Sequence, residues 1–288
     1  MPSVPPVPPV PPARPVAPVP PVSSAPSSAP SSAPSAAAVV SALRAAGCVF
    51  AEDEAELILA TARTAGELSS MVDRRAAGFP LEHVLGWAEF HGRRIAVEPG
   101  VFVPRRRTEF LVDQALAAAR DAAVVVDLCC GSGALAAALA AALDGVEVHA
   151  ADIDPAAVRC ARRNLAPFGG RAHQGDLYDA LPAALRGRVG VLTANVPYVP
   201  TAEVPLLPAE AREHEPLVAL DGGADGLDVL RRVAAGAPDW LAPGGCLLSE
   251  TGEHQAPAAV RAFTDAGLTT RLAVSDERYA HVVVGVPP

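Results

Sequence analysis

The chain has 288 residues, half of them apolar, and a formal net charge of −9. This balance excludes tight, sequence-independent binding to nucleic acid, which depends on clustered Lys and Arg; the one local basic run is Arg105-Arg106-Arg107. Five cysteines without a CxxC pair or zinc-ligand spacing exclude a zinc finger and predict reduced, buried thiols in a cytoplasmic protein.

In chain order, residues 1–37 come first. Residues 1–38 hold 14 of the 30 prolines, with Arg14 as the only charge. Proline blocks helix and sheet ladders, so this segment is expected to be a disordered Pro/Ser/Ala-rich tail. It has no continuous apolar stretch of the kind a signal peptide carries.

Residues 38–80 read as a small helical domain. "AAAVVSALRAAG" ends on Gly47 and "EDEAELILATARTAG" on Gly66, both taken as glycines that close a helix. In the second segment the apolar stripe is Ala55, Leu59 and Ala62. Residues 81–107 are aromatic, β-branched and broken by Pro and Gly, which predicts a linking hairpin region.

From 108 to the end, strands and helices alternate. Strands are expected at 123–128, 147–152, 171–174, 189–195 and 244–251, with an antiparallel pair closing the chain. Helices are expected at 108–120, 133–143, 155–166, 225–240 and 254–266. Alternation of this kind predicts a mostly parallel, seven-stranded Rossmann-like sheet with helices on both faces. The apolar run 122–143 has the length of a membrane span, but Asp127 and Gly131-Ser132-Gly133 in its middle predict strand, loop and helix instead. No membrane partner is expected.

The candidate cofactor site follows from that loop. Asp127 ends a strand, Cys129-Cys130-Gly131-Ser132-Gly133 form the turn, and Asp152 ends the next strand. Glycines admit a ligand close to backbone, and the following helix offers free N–H groups. An acid at the second strand tip accepts from ribose hydroxyls. Asp176 and Leu177 follow the third strand. The competing reading is a dinucleotide site, but residue 136 is Ala, so the GxGxxG pattern is missing. S-adenosyl-L-methionine, with no pyrophosphate to cradle, fits better. A purely structural turn is the plain alternative.

Five segments then carry a resemblance: "HVLGWAEFHGRRIAVEPGVFVPRRRTE", "DLCCGSG", "AADIDPAAVRCARRN", "NVPY" and "EPLVALDGGADGLDVLRR". Over roughly residues 50–288 the chain resembles the release-factor glutamine methyltransferase (HemK-like) group of class I S-adenosylmethionine-dependent methyltransferases. The resemblance implies methyl transfer to the N5 amide nitrogen of a glutamine in the Gly-Gly-Gln loop of a peptide chain release factor. It places Asn195, Val196, Pro197 and Tyr198 at the acceptor. The Asn195 side-chain oxygen and the Val196 carbonyl would receive the two amide N–H groups, and Tyr198 would pack beside the planar amide. The family pattern is departed from at Val196 (usually Pro), at Arg106 and Arg107 (usually Pro and an acid), at Cys129 (usually Gly) and at Leu177 (usually aromatic). Two alternatives remain: an N6-adenine or N2-guanine methyltransferase on nucleic acid, and a non-catalytic homologue that binds S-adenosylmethionine.

Overall fold

The computed structural model describes residues 34–119 and 122–288. The expected proline-rich tail up to residue 33 lies outside the described residues.

Four helices open the described chain: α1 Ala36–Ala45, α2 Ala51–Thr61, α3 Ala65–Ala76 and α4 Leu81–Leu85. α1 starts inside the segment assigned to the tail, because the Ser35 hydroxyl caps it by accepting from the Ala38 N–H. Gly47 closes α1 with φ +90°, as expected. Gly66 does not close a helix. It lies in the first turn of α3, and α2 has already ended at Thr61. The reason is a capping pair: Thr64 accepts from the Glu67 N–H at 3.1 Å, and Glu67 accepts from the Arg63 N–H at 2.8 Å. The buried stripe of α2 is Ala51, Glu54, Ala55 and Ile58, so Leu59 and Ala62 sit at its margin. These helices share a core of their own, with Val39, Leu43, Ile58, Leu68 and Met71 at its centre.

β1 (Trp87–Phe90) and β2 (Arg93–Ala96) form the expected hairpin in antiparallel register, Phe90 opposite Arg93. His91 and Gly92 both have positive φ, which a two-residue turn matching strand twist requires.

The remaining strands are β3 Val124–Leu128, β4 Glu147–Asp152, β5 Arg171–Gln174, β6 Val189–Ala194, β7 Leu241–Thr251, β8 Thr269–Ser275 and β9 Ala280–Val286. They form one seven-stranded sheet in the order β5-β4-β3-β6-β7-β9-β8. β3 to β7 run parallel, and β9 is antiparallel to both its neighbours. All five residues of β3 are buried, as a strand covered on both faces must be. The helices α5 Glu109–Ala118, α6 Ala134–Ala142, α7 Pro155–Leu165, α9 Asp228–Trp240 and α10 Ala256–Asp265 match the expected ones within three residues at each end. α7 begins with Asp154 accepting from the Ala156 N–H, followed by Pro155 at the first helical position. Among the described residues, no helix is long and apolar enough to cross a membrane.

One element was not anticipated. Residues 201–220 carry two 3₁₀ turns around a short helix, α8 Ala209–His214. This segment has little apolar periodicity, and it forms one wall of the site.

Candidate active site

The strand order reverses direction between β3 and β6, which opens a crevice at the carboxyl ends of these strands. A cavity of about 630 Å³ occupies it. Its lining joins Cys129, Cys130, Gly131, Ser132, Asp152, Asp176 and Leu177 to all of Asn195, Val196, Pro197 and Tyr198. Eleven of the thirteen residues singled out in the loop, at the strand tips and in the tetrapeptide 195–198 line this cavity; Gly133 and Asp127 do not reach it.

Gly133 instead lets two helices meet. It has φ +75°, and a Cβ there would lie 2.9 Å from the Cβ of Ala161 on α7. Gly133→Ala should therefore destabilise the fold by about 1–3 kcal/mol, combining left-handed strain with overpacking. A thermal midpoint equal to that of the wild type would show that α6 and α7 separate freely.

Asp127 is fully buried under the loop. Its Oδ1 accepts from the Thr193 hydroxyl at 2.9 Å, and its Oδ2 has no hydrogen-bond partner. Burial pushes its carboxyl up to about 7, against the pull of Thr193 and the nearby Ala136 N–H. Asp127 thus underlies the loop and does not line the cavity.

The loop itself is built for close approach. Cys129 and Gly131 both have φ +53°, the left-handed region. This explains why glycine is usual at position 129, and Cys129 holds the strained conformation without it. Burial raises both the Cys129 and Cys130 thiols well above the usual range, so they stay protonated and are not nucleophiles. Asp152 pins the turn: Oδ2 accepts from the Gly131 N–H at 2.8 Å and Oδ1 from the Asp154 N–H at 2.9 Å. Burial raises its carboxyl, and those backbone bonds lower it. Each oxygen keeps a lone pair for a further donor. Asp176 is held at the cavity edge by Arg232 of α9, at 2.7 Å.

The tetrapeptide Asn195–Tyr198 is fixed from several sides. Ser249 donates to the Ala194 carbonyl at 2.6 Å. Gln255 donates to the Tyr198 carbonyl at 2.8 Å and to the Asp225 carbonyl at 2.9 Å. The Val199 N–H donates to the Leu220 carbonyl at 3.0 Å. Among the described residues, the Val196 carbonyl receives no hydrogen bond. The Val196 side chain is in the hydrophobic core, so this residue meets the cavity through its backbone. The Asn195 side-chain oxygen is buried and has no partner. Two acceptors are thus left free at adjacent positions of one wall.

Sequence reasoning missed the charged residues around this wall. Arg105 and Arg107 do not form a free basic patch. Arg105 reaches both oxygens of buried Glu215, at 2.7 and 2.6 Å, and Glu215 also accepts from the Val103 N–H. This ties the 201–220 wall to the segment before α5. Arg107 donates from Nε to buried Glu250 at 2.9 Å and from its terminal nitrogen to the Tyr198 hydroxyl.

Comparison with known proteins agrees with this geometry. The methyltransferase small domain family matches residues 93–200. A release factor glutamine methyltransferase of Geobacter sulfurreducens is 39% identical over 217 residues, covering 75% of each chain. The chain belongs to the release factor glutamine methyltransferase family. A 4-amino-L-phenylalanine/4-methylamino-L-phenylalanine methyltransferase of Streptomyces pristinaespiralis is 40% identical over 66% of this chain and 68% of its own. In fold, the chain resembles the crystal structure of a methyltransferase from Pyrococcus furiosus, with a TM-score of 0.51 and 17% identity over 67% of this chain and 88% of that one. The methyltransferase family fits the cavity: a left-handed glycine turn, an acid at the next strand tip and unpartnered acceptors face one space.

Proposed function

We propose that this protein methylates the side-chain amide nitrogen (N5) of a glutamine in the Gly-Gly-Gln loop of a peptide chain release factor, with S-adenosyl-L-methionine as donor. The observation that carries the reading is the buried, unpartnered Asn195 oxygen on the cavity wall. A buried acceptor without a donor costs free energy, and a substrate N–H removes that cost.

The bound cofactor supplies a methyl group on a sulfonium, and the protein's task is to aim a nitrogen at it. Gly131 and Cys130 would pass close to the cofactor, while Asp152 would accept from its ribose and Asp176 face its adenine. An amide nitrogen is a poor nucleophile because its lone pair is delocalised into the carbonyl. The Asn195 oxygen and the Val196 carbonyl would take its two N–H bonds and turn the lone pair toward the methyl carbon. Pro197 keeps Val196 extended, which presents that carbonyl. Tyr198 would lie against the amide plane. No side chain needs to remove a proton before attack, so positioning and electrostatics supply the rate. The acidic chain and the pairing of Arg105 and Arg107 favour a protein substrate over nucleic acid. Reduced thiols and a translation partner suit the cytoplasm.

The test is incubation with labelled S-adenosylmethionine and, separately, a release factor, 4-aminophenylalanine, RNA and DNA. Methylation of the Gly-Gly-Gln glutamine, read by mass spectrometry, is the expected result. Label entering only the amino acid or only nucleic acid would overturn the assignment. In the same preparation, Asp152→Ala should weaken cofactor binding by about 1–3 kcal/mol, since it leaves donors unpaired. Unchanged affinity by calorimetry in a folded variant would remove Asp152 from the cofactor site.

A further inference from the structure

Arg107 occupies a position in this family's pattern that usually carries an acid, and the structure shows what the arginine does there. It lies in the 3₁₀ turn Arg106–Thr108, before α5. Its guanidinium stands 5.8 Å from the centre of the Tyr198 ring. A terminal nitrogen donates to the Tyr198 hydroxyl, and Nε donates to Glu250 on β7. The Glu250 side chain is only 4% exposed, while that of Arg107 is half-open at 45%. Arg107 and Tyr198 line both the main cavity and a second one of about 320 Å³ behind them. Tyr198 therefore stands in a partition between two open spaces. Packing alone does not hold a ring in such a place. Its hydroxyl has one side-chain partner, Arg107, and Arg107 is in turn held by a buried carboxylate.

We infer that Arg107 is a positioning residue: braced by Glu250, its guanidinium fork fixes the Tyr198 ring that packs beside the acceptor nitrogen. The kinetic part of this inference rests on the glutamine reading above; the structural part does not. A fork is required, because one planar group must address a carboxylate and a phenol at once. A lysine ammonium offers no such fixed pair of directions.

Arg107→Met alone is an ambiguous test, since it leaves Glu250 buried without a counter-charge and destabilises the fold whatever else Arg107 does. The double variant Arg107→Met/Glu250→Gln removes the fork and the stranded charge together. The chain has three tyrosines, so ring-labelled tyrosine gives three NMR signals, with that of Tyr198 assigned by its loss in Tyr198→Phe. In the double variant the thermal midpoint and cofactor affinity should stay near wild type. The Tyr198 signal should shift and broaden, while those of Tyr178 and Tyr279 stay in place. With a release factor as substrate, kcat should fall about tenfold, the worth of one hydrogen bond of ordinary strength, and KM should change less. Arg107→Lys should fall between the double variant and wild type. An unmoved Tyr198 signal overturns the inference on its own. So does a wild-type kcat in the double variant. If wild-type protein modifies no release factor, the substrate reading fails, and the tyrosine signal still decides whether Arg107 holds Tyr198.

Discussion

Replacing Asn195 with alanine should lower methyl transfer to a release factor by about 100-fold or more, the scale of losing one preorganised contact in the transition state. Cofactor affinity should fall far less, because the loop at 129–131, Asp152 and Asp176 are untouched. Asn195 stands at the carboxyl end of β6, and its oxygen is buried without a partner. On the proposed function, the substrate amide would supply the partner this oxygen lacks. Removing it costs the free enzyme nothing in hydrogen bonding, so the thermal midpoint should hold or rise. Asn195→Asp keeps an acceptor but brings a charge into a desolvated wall, and it should not restore the rate. Val196→Pro is the complementary change. The Val196 N–H makes no hydrogen bond among the described residues, and its carbonyl survives the substitution. Activity should be retained. Single-turnover rates and calorimetry on the three variants separate the steps. An Asn195→Ala enzyme working at the wild-type rate would reduce the tetrapeptide to a strand end.

The parts of this site visible in sequence are those made by neighbours in the chain. The turn at 129–131 and the acid at Asp152 are set by where strands end, and alternating apolar runs mark those ends well. Pro155 after Asp154 marks the start of α7 for the same reason. What sequence could not show is made by distant partners. Arg105 meets Glu215 across 110 residues and Arg107 meets Glu250 across 143. A run of three arginines reads as a surface charge until its acidic partners are placed. Gly133 is a related case. A glycine in a loop serves a ligand or a neighbouring helix equally well, and only the position of Ala161 decides between them. Asp127 was legible as important and not as to how, because depth below a loop has no signature in sequence. Gly66 was a different kind of miss, since the pair Thr64 and Glu67 lay in plain view as the start of a helix. The 201–220 wall escaped because short turns pinned by single ion pairs carry no period.

Asp127 makes the stability of this protein run against the usual direction for a carboxylate. Its folded pKa is pushed up to about 7 by burial from an ordinary value of 3.8. Between those two values the folded chain holds a proton that the unfolded chain has released. Folding is therefore favoured at low pH, and this contribution is lost as pH rises toward 7, at about 1.4 kcal/mol per pH unit. The whole loss is about 4 kcal/mol, an order-of-magnitude figure for a fully buried group. Above pH 7 both states are ionised and the penalty stays constant. Asp127→Asn removes the titration. Its amide oxygen can still accept from Thr193, and its nitrogen replaces the oxygen that had no partner. Near pH 4 the unfolded chain is still partly protonated, little of this loss has accrued, and the two proteins should unfold at similar denaturant concentration. At pH 8 the variant should be the more stable by several kcal/mol. Taking the difference between variant and wild type cancels the other titrating groups they share. A difference that is flat from pH 5 to 8 would mean that Asp127 is ionised throughout, held by a partner beneath the loop.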